Sequence, residues 1–258
     1  MIAILTVSHG TSDPQGQEAI RAYADAVHAA VGADLAAHAF VDVQQPDLPA
    51  ALAALPADAT VVVVPLLLSR GYHLGHDIPA AVAPFGDRVV VADALGPDHR
   101  IAQVLSRRLH EAGVGPEDRV VLAAAGSSDS AGVQDALQAG LLLEVVARRP
   151  VTVGFLSAAH PRLDEAVARN RTTGDDRVAV ASYLLAPGYF LDRTRECPAD
   201  VVAEPLLTPA TAPAYELVAV ARDRYSTALS ASAAASPAGS VAAARRPRIS
   251  ATDDATAP

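Results

Sequence analysis

A single cysteine, Cys197, stands in 258 residues, which excludes an intramolecular disulfide framework and any zinc site built from several thiolates. Tryptophan is absent and aromatic residues make up only 4%, so the core must be built mainly from Ala, Val and Leu. Positive charge is in deficit: the formal net charge is −9, which argues against a general nucleic-acid binder, since such a protein presents a basic face to phosphates. Long apolar runs are missing too. The longest candidate, residues 61–68, has the length of a strand and contains Pro65, well short of the ~18 uninterrupted apolar residues of a membrane span. The opening MIAILTVSHG lacks the basic start and longer apolar core of a secretory signal. The expectation is a soluble, cytoplasmic protein that engages neither nucleic acid nor membrane.

What the chain has in quantity is aliphatic surface. Hydrophobic residues reach 51%, enough for a folded core and too many for a wholly disordered chain. At this length one large domain and two of ordinary size are both open. Short β-branched runs alternate with Ala-rich amphipathic stretches, the pattern of a parallel sheet flanked by helices. A first strand is expected over 2–7, a Gly/Ser/Asp turn over 10–13, and a helix over about 15–31 with Ala19, Ala22, Tyr23, Ala26 and Val27 on its apolar stripe. A second strand over 38–43, a short helix over 47–55 and a very apolar strand over 61–67 follow. Beyond the loop 69–73, Ile78 and Pro79 open another short helix. A fourth strand over 89–92 and a helix over 98–112, ended by Gly113, complete one small α/β domain.

The series then begins again. Ala125-Gly126-Ser127-Ser128-Asp129 follows an apolar run as His9-Gly10-Thr11-Ser12-Asp13 does. Gly154-Phe155 with Pro161 and Leu163 mirrors Ala39-Phe40 with Pro46 and Leu48, and Gly188-Tyr189-Phe190-Leu191 mirrors Gly71-Tyr72-His73-Leu74. Gly126 lies 116 residues after Gly10, Pro161 115 after Pro46, and Gly188 117 after Gly71. These landmarks agree in spacing, and their shared letters include Gly, Pro, Tyr and Asp rather than the abundant Ala, which argues for an internal duplication. The expected fold is α/β: two tandem, duplicated parallel-sheet domains of flavodoxin-like kind, over 1–115 and 116–225, with a cleft between them. From about 226 the composition turns to Ala, Ser, Thr and Pro, with a cluster Arg245-Arg246-Pro247-Arg248, and 226–258 is expected to be a disordered tail.

Ligands of open parallel sheets bind beyond the carboxyl ends of the strands. That rim carries His9 after the first strand, Asp42 at the end of the second, and Arg70 and His73 after the third. Two imidazoles and a carboxylate suit a divalent metal with coordination positions left open. His28, His38, His99 and His110 lie on helices, strand flanks or turns and are read as surface or hydrogen-bonded residues. His76 either shares a helical face with His73 or is an exposed loop residue. The duplication supplies an internal control: His9 corresponds to Ala125, Asp42 to Ser157 and His73 to Phe190, while the neighbouring Gly, Pro and Tyr persist. A metal site confined to the first copy explains this selective loss.

Ser8-His9-Gly10-Thr11, Phe40-Val41-Asp42 with Pro46, and Val64-Pro65-Leu66-Leu67-Leu68 leading to Gly71-Tyr72-His73 and Asp77-Ile78-Pro79 resemble the sirohydrochlorin chelatases, the cobaltochelatase and ferrochelatase family of cobalamin and sirohaem synthesis. The resemblance covers about residues 1–225. It implies a class II chelatase fold, two related α/β domains about a pseudo-twofold, with a tetrapyrrole in the cleft between them. The family's two metal-binding histidines match His9 and His73. Its acidic residue, commonly Glu, falls on Asp42, one methylene shorter, so direct ligation and a water-bridged role are both open. The second copy, lacking all three, would form a wall of the cleft.

The implied chemistry suits these residues. Metal insertion removes two pyrrole N–H protons while the metal exchanges its ligands for four nitrogens. Imidazole holds a metal loosely and accepts protons near neutral pH, so His9 and His73 are assigned both duties. The divalent metal is a substrate, Fe²⁺ or Co²⁺ with Ni²⁺ also accommodated, and no organic cofactor is required. For the carboxylates of the macrocycle, backbone N–H groups and hydroxyls at Gly10, Thr11 and Ser12 and at Gly126, Ser127 and Ser128 precede helices, where anions are favoured. Ser12 and Ser128 serve equally well as helix caps on this pattern. Arg70 is expected to pair with a substrate carboxylate, and Tyr72 and Tyr189 to pack in the cleft. With both copies in one chain, a monomer suffices. A non-catalytic metal or tetrapyrrole carrier is the alternative, and a flavodoxin-like phosphate or nucleotide binder a weaker one, since the loop 10–13 has no nucleotide fingerprint.

Overall fold

The structure, a computed structural model, describes residues 1–172 and 176–235. Strand β1 (Ile2–Ser8) leads to α1 (Pro14–Val31), β2 (Leu35–Phe40), α2 (Leu48–Ala54) and β3 (Thr60–Pro65). A π-helical turn at His73–Asp77 runs into α3 (Ile78–Val82), and β4 (Val89–Val91) and α4 (His99–Glu111) close the first copy. The second copy consists of β5 (Arg119–Ala124), α5 (Ser130–Ala147), β6 (Val151–Phe155), α6 (Leu163–Asn170), β7 (Val178–Tyr183), α7 (Tyr189–Arg195), β8 (Val201–Val202) and α8 (Tyr215–Ala235). The two sheets are parallel throughout and share one order, β2-β1-β3-β4 and β6-β5-β7-β8.

The duplication extends to single backbone angles. Gly10 and Gly126 both have φ 94°, and Val43 and Ala158 hold left-handed φ values of 61° and 53°. Gly is required at 10 and 126 on two counts: the left-handed φ, and a Cβ that would fall on the carbonyl oxygen of Asp42 or Ser157. The loops after the first and second strands of each copy are thereby pressed together, backbone on backbone.

Each strand divides its side chains by the pleat. Ile4, Val62, Val64, Val120, Leu122, Ala179 and Ala181 face one shared core, whereas Ala3, Leu5, Val61 and Val63 face α2 and α3, and Val121, Ala123, Val178 and Val180 face α6. The shared core joins the copies, and its helices are exchanged. α4, which follows the first sheet, packs on α5 and β7, while α8, which follows the second, packs on α1, β3 and β4. Residues 1–115 are therefore not a closed domain: α4 belongs in space with the second sheet. Ile101, Val104 and Leu105 of α4 and Leu217 and Val220 of α8 are fully or almost fully buried by this exchange, each removing ~2 kcal/mol of apolar surface from water. Tyr23 of α1 is wholly buried, and its hydroxyl donates to the Leu217 carbonyl of α8 at 2.8 Å.

The tail begins later than expected. α8 runs through Ala235, so residues 226–235 are helical. Tyr225, Ala228 and Leu229 continue the packed stripe at helical spacing, and Ala is the best helix former. The remainder of the expected tail, with its arginine cluster, lies outside the described residues.

Candidate functional site

A cleft of about 630 Å³ opens between the copies at the carboxyl ends of both sheets. His9 leaves the end of β1, and His73 opens the π-helical turn beyond β3, so two residues 64 positions apart face each other with ring centroids 4.7 Å apart at 81°. Each ring is held by its Nδ1. His73 Nδ1 meets Asp77 Oδ2 at 2.6 Å, one turn along, and His9 Nδ1 meets the Gly10 carbonyl at 3.3 Å. Both partners accept, so in the neutral ring the proton belongs on Nδ1 and Nε2 is the atom open to a metal. Asp77 had no assigned role in the sequence; its i, i+4 spacing from His73 was the available signal.

Asp42 does not join the pair. β2 ends at Phe40, three residues before the expected end at 43, and Asp42 sits exposed in the following turn, outside the cleft lining. Its Oδ1 accepts the N–H of Val43 at 2.7 Å, fixing the turn that places Val43 in the cleft wall. Among the described residues no group of three or more His, Cys, Asp or Glu is placed to hold a metal ion. His76 is exposed and stacks on Tyr72 at 4.7 Å and 13°, while Tyr72 itself lines the cleft.

Arg70 is likewise committed elsewhere. Its Nη2 and Nε reach Asp135 Oδ1 at 2.6 and 3.2 Å, Nε reaches Oδ2 at 3.1 Å, and its backbone N–H donates to Oδ2 at 2.7 Å. Asp135, on α5 of the other copy, is 1% exposed, so its charge has to be met from inside the protein. The carboxylate raises the guanidinium pKa further by hydrogen bonding and attraction. Arg70 is a clamp between the copies and is not among the cleft-lining residues. Asp135 was legible in principle: it falls on the stripe Gly132, Asp135, Ala136, Ala139, Leu143 that α5 buries. Tyr183 supports the same joint, its buried hydroxyl donating to the Leu68 carbonyl at 2.8 Å, with burial holding its pKa above the usual tyrosine value.

The two Gly-containing loops do line the cleft, with Gly10, Thr11, Ser12, Gly126, Ser127 and Ser128 all at its surface. The helix caps are Asp13 and Asp129, not Ser12 or Ser128: their carboxylates accept from Gln15 and Gly16 and from Ala131. Thr11 and Ser127 each accept the N–H of that capping aspartate, and the Thr11 N–H donates to Gln44 Oε1 at 3.0 Å. Among the described residues no Arg lines the cleft, and the chain contains no lysine, so an anionic ligand meets backbone N–H groups and hydroxyls of these loops. The opposite wall is apolar: Ala125 stands where His9 does, Phe190 where His73 does, and Tyr189 beside it is 71% exposed.

No helix among the described residues is long and apolar enough to cross a membrane. The family model described as CbiX matches residues 3–112 and again 119–228. The sirohydrochlorin ferrochelatase of Priestia megaterium is 29% identical over 206 residues, covering 76% of this chain and 77% of that one. The sirohydrochlorin cobaltochelatase of Sulfurisphaera tokodaii is 32% identical over 114 residues, covering 43% of this chain and 93% of that one, about the length of one copy. Among solved structures, SirB from Bacillus subtilis with Fe³⁺ superimposes with a TM-score of 0.74 at 23% identity, over 90% of this chain and 97% of that chain.

Proposed function

Since the chain belongs to the CbiX family, we propose that it is a sirohydrochlorin chelatase, inserting Fe²⁺ or Co²⁺ into the tetrapyrrole. One observation carries this: two imidazoles, both anchored through Nδ1, stand with ring centroids 4.7 Å apart in the lining of a cleft of about 630 Å³ between the copies. The metal is a substrate. His9 and His73 hold it through Nε2 while the macrocycle settles between the copies, and its peripheral carboxylates meet the loops at Gly10–Ser12 and Gly126–Ser128. Two imidazoles without a thiolate or a third protein ligand bind weakly enough to surrender the ion to four pyrrole nitrogens. As the four metal–nitrogen bonds form, two N–H protons leave, and imidazole accepts protons at the working pH.

Asp77 holds the His73 ring in the orientation that faces His9, the role an outer carboxylate plays behind a metal-bound imidazole. Ni²⁺ suits the same donors, and the exchange needs no organic cofactor. We take the enzyme to be a cytoplasmic monomer acting on a small molecule, without nucleic acid or membrane, because one chain supplies both walls. The test is anaerobic mixing of the protein with sirohydrochlorin and Fe²⁺, Co²⁺ or Ni²⁺, followed by absorption. Many turnovers per protein, lost in His9→Ala and His73→Ala, are expected. A shift that stops at one equivalent would identify a carrier instead.

A further inference from the structure

Behind the cleft, the first copy contains a row of polar side chains that the reaction as described does not use. Thr6 and Ser8 of β1 are 0% and 2% exposed, on the face that elsewhere builds the shared core. The Ser8 hydroxyl lies 3.1 Å from His38 Nε2, His38 Nδ1 lies 2.8 Å from Thr6 Oγ1, and Thr6 Oγ1 lies 2.9 Å from His28 Nε2. Ser8 lines the cleft beside His9, whereas His28 stands half-buried in the last turn of α1. The row thus runs from the cleft floor to the far end of a surface helix without a gap longer than a hydrogen bond.

The second copy shows what the fold itself requires at these places. β1 pairs Thr6 with His38, and β5 pairs Leu122 with Val153 in the same register. By the same correspondence Ser8 becomes Ala124 and His28 becomes Glu144. An aliphatic strand pair fills the position without penalty, so the polar row is not a structural need of the architecture. It is retained only in the copy that holds the imidazole pair.

We propose that Ser8, His38, Thr6 and His28 form a proton relay that carries the two protons shed by the macrocycle from the cleft floor to solvent at α1. This rests on the chelatase reading above. In the outward polarity the Ser8 O–H donates to His38 Nε2, the His38 Nδ1–H to Thr6, and the Thr6 O–H, which also reaches the Ala37 carbonyl at 3.3 Å, turns to His28 Nε2. A proton arriving at Ser8 Oγ sends Ser8's own proton to His38 Nε2. The Nδ1 proton of His38 then passes to Thr6, the Thr6 proton passes to His28, and the Nδ1 proton of His28 leaves to water. One proton enters and one leaves, and rotation of the hydroxyls with tautomer exchange resets the row for the second. Burial keeps His38 neutral, its pKa pushed down to about 4 with His28 adding repulsion and Asp25 opposing it. A neutral ring is both donor and acceptor, as a relay member must be. Asp25, one turn before His28 on α1, is the charged group facing the exit.

The test compares Thr6→Val, which keeps the shape and removes the link, with Thr6→Ser, which keeps the hydroxyl. Steady-state cobalt insertion into sirohydrochlorin should lose ~10-fold or more of kcat in Thr6→Val, with KM unchanged. Thr6→Ser should restore it, and added imidazole should raise the rate of Thr6→Val but not of the unaltered protein. Ser8→Ala, the residue of the second copy, is the second break and should behave like Thr6→Val even if that variant fails to fold. Wild-type kcat in a folded Thr6→Val or Ser8→Ala, or a defect that Thr6→Ser shares and imidazole leaves untouched, overturns the relay alone. Absence of turnover in the unaltered protein overturns the chelatase reading and the relay with it.

Discussion

Arg70→Ala separates a clamp from a substrate ligand. In the folded protein three side-chain contacts and one backbone N–H meet the Asp135 carboxylate, which is 1% exposed, while the Arg70 side chain is 60% exposed. Removing the guanidinium leaves a buried carboxylate with a single donor. Breaking a buried ion pair by removing one partner costs ~3–5 kcal/mol. Water reaching the vacated surface position lowers this, so a loss of ~2–4 kcal/mol is expected. For a protein of this size that is a fall in Tm of roughly 5–15 °C. Asp135→Ala should cost less, ~1–2 kcal/mol, because the freed guanidinium returns to water and the equivalent residue of the first copy, Ala19, is buried there without harm. The double variant should match Asp135→Ala, which makes the two changes strongly non-additive. Urea and thermal unfolding at pH 7, followed by circular dichroism, measure all three. KM for the tetrapyrrole, determined on the folded variants, should move less than threefold. Unchanged stability in Arg70→Ala together with a tenfold rise in KM would refute the clamp and return Arg70 to the substrate.

Gly132→Ala places a Cβ 2.8 Å from the Arg70 carbonyl, and Gly16→Ala places one against the Pro187 carbonyl at the related contact; each should cost ~1–3 kcal/mol in urea unfolding, since backbone faces backbone at both. Asp77→Asn should weaken Co²⁺ binding ~10–100-fold by titration, because His73 loses the carboxylate that orients it, whereas Asp42→Ala should stay within about threefold of the unaltered protein. The His38 pKa of about 4 fixes a pH dependence: the unfolded chain, with an ordinary histidine at ~6.5, binds the extra proton, so stability is full above about pH 6.5 and falls toward pH 4. The loss from His38 should reach ~2 kcal/mol by pH 5 and be removed in His38→Val, leaving the smaller loss from His28, whose pKa burial also lowers. The depressed carboxylates Asp98, Glu216 and Asp223 contribute stability that is lost only at lower pH, so they leave this window clear.

The repeat and its sheets were legible because backbone geometry dictates their landmarks. Gly10 and Gly126 sit where a left-handed φ coincides with a backbone crossing, and no other residue type fits. The placement of His9 and His73 on one rim was legible because the end of a parallel strand is a place that periodicity can find. Asp42 was not, because its place depends on where β2 stops, and a shift of three residues in that end moves the side chain from the rim into a turn. Arg70 was misread for another reason: the carboxylate that claims it lies 65 residues away on a helix of the other copy, and local pattern carries no such distance. The exchange of α4 and α8 escaped likewise, since an amphipathic stripe shows that a helix is covered without showing by which sheet.

His28 and His38 were set aside one at a time as isolated histidines, and one at a time the judgement is sound. Only strand register reveals that Thr6 faces His38, and only the second copy shows that the pair has an aliphatic counterpart, Leu122 facing Val153. The divergence between the copies is therefore not scattered. His9 and His73 became Ala125 and Phe190, Ser8 became Ala124, and Thr6 with His38 became Leu122 with Val153, and these positions adjoin one another from the cleft inward. Loss of a metal site alone would relax the two imidazoles and leave a buried hydroxyl–imidazole pair in place, because substituting only one of its members orphans the other at ~1–3 kcal/mol. Replacement of Ser8, Thr6 and His38 together by apolar residues, with Glu144 in place of His28, is what the relay reading expects of members that served the chemistry together and became dispensable together.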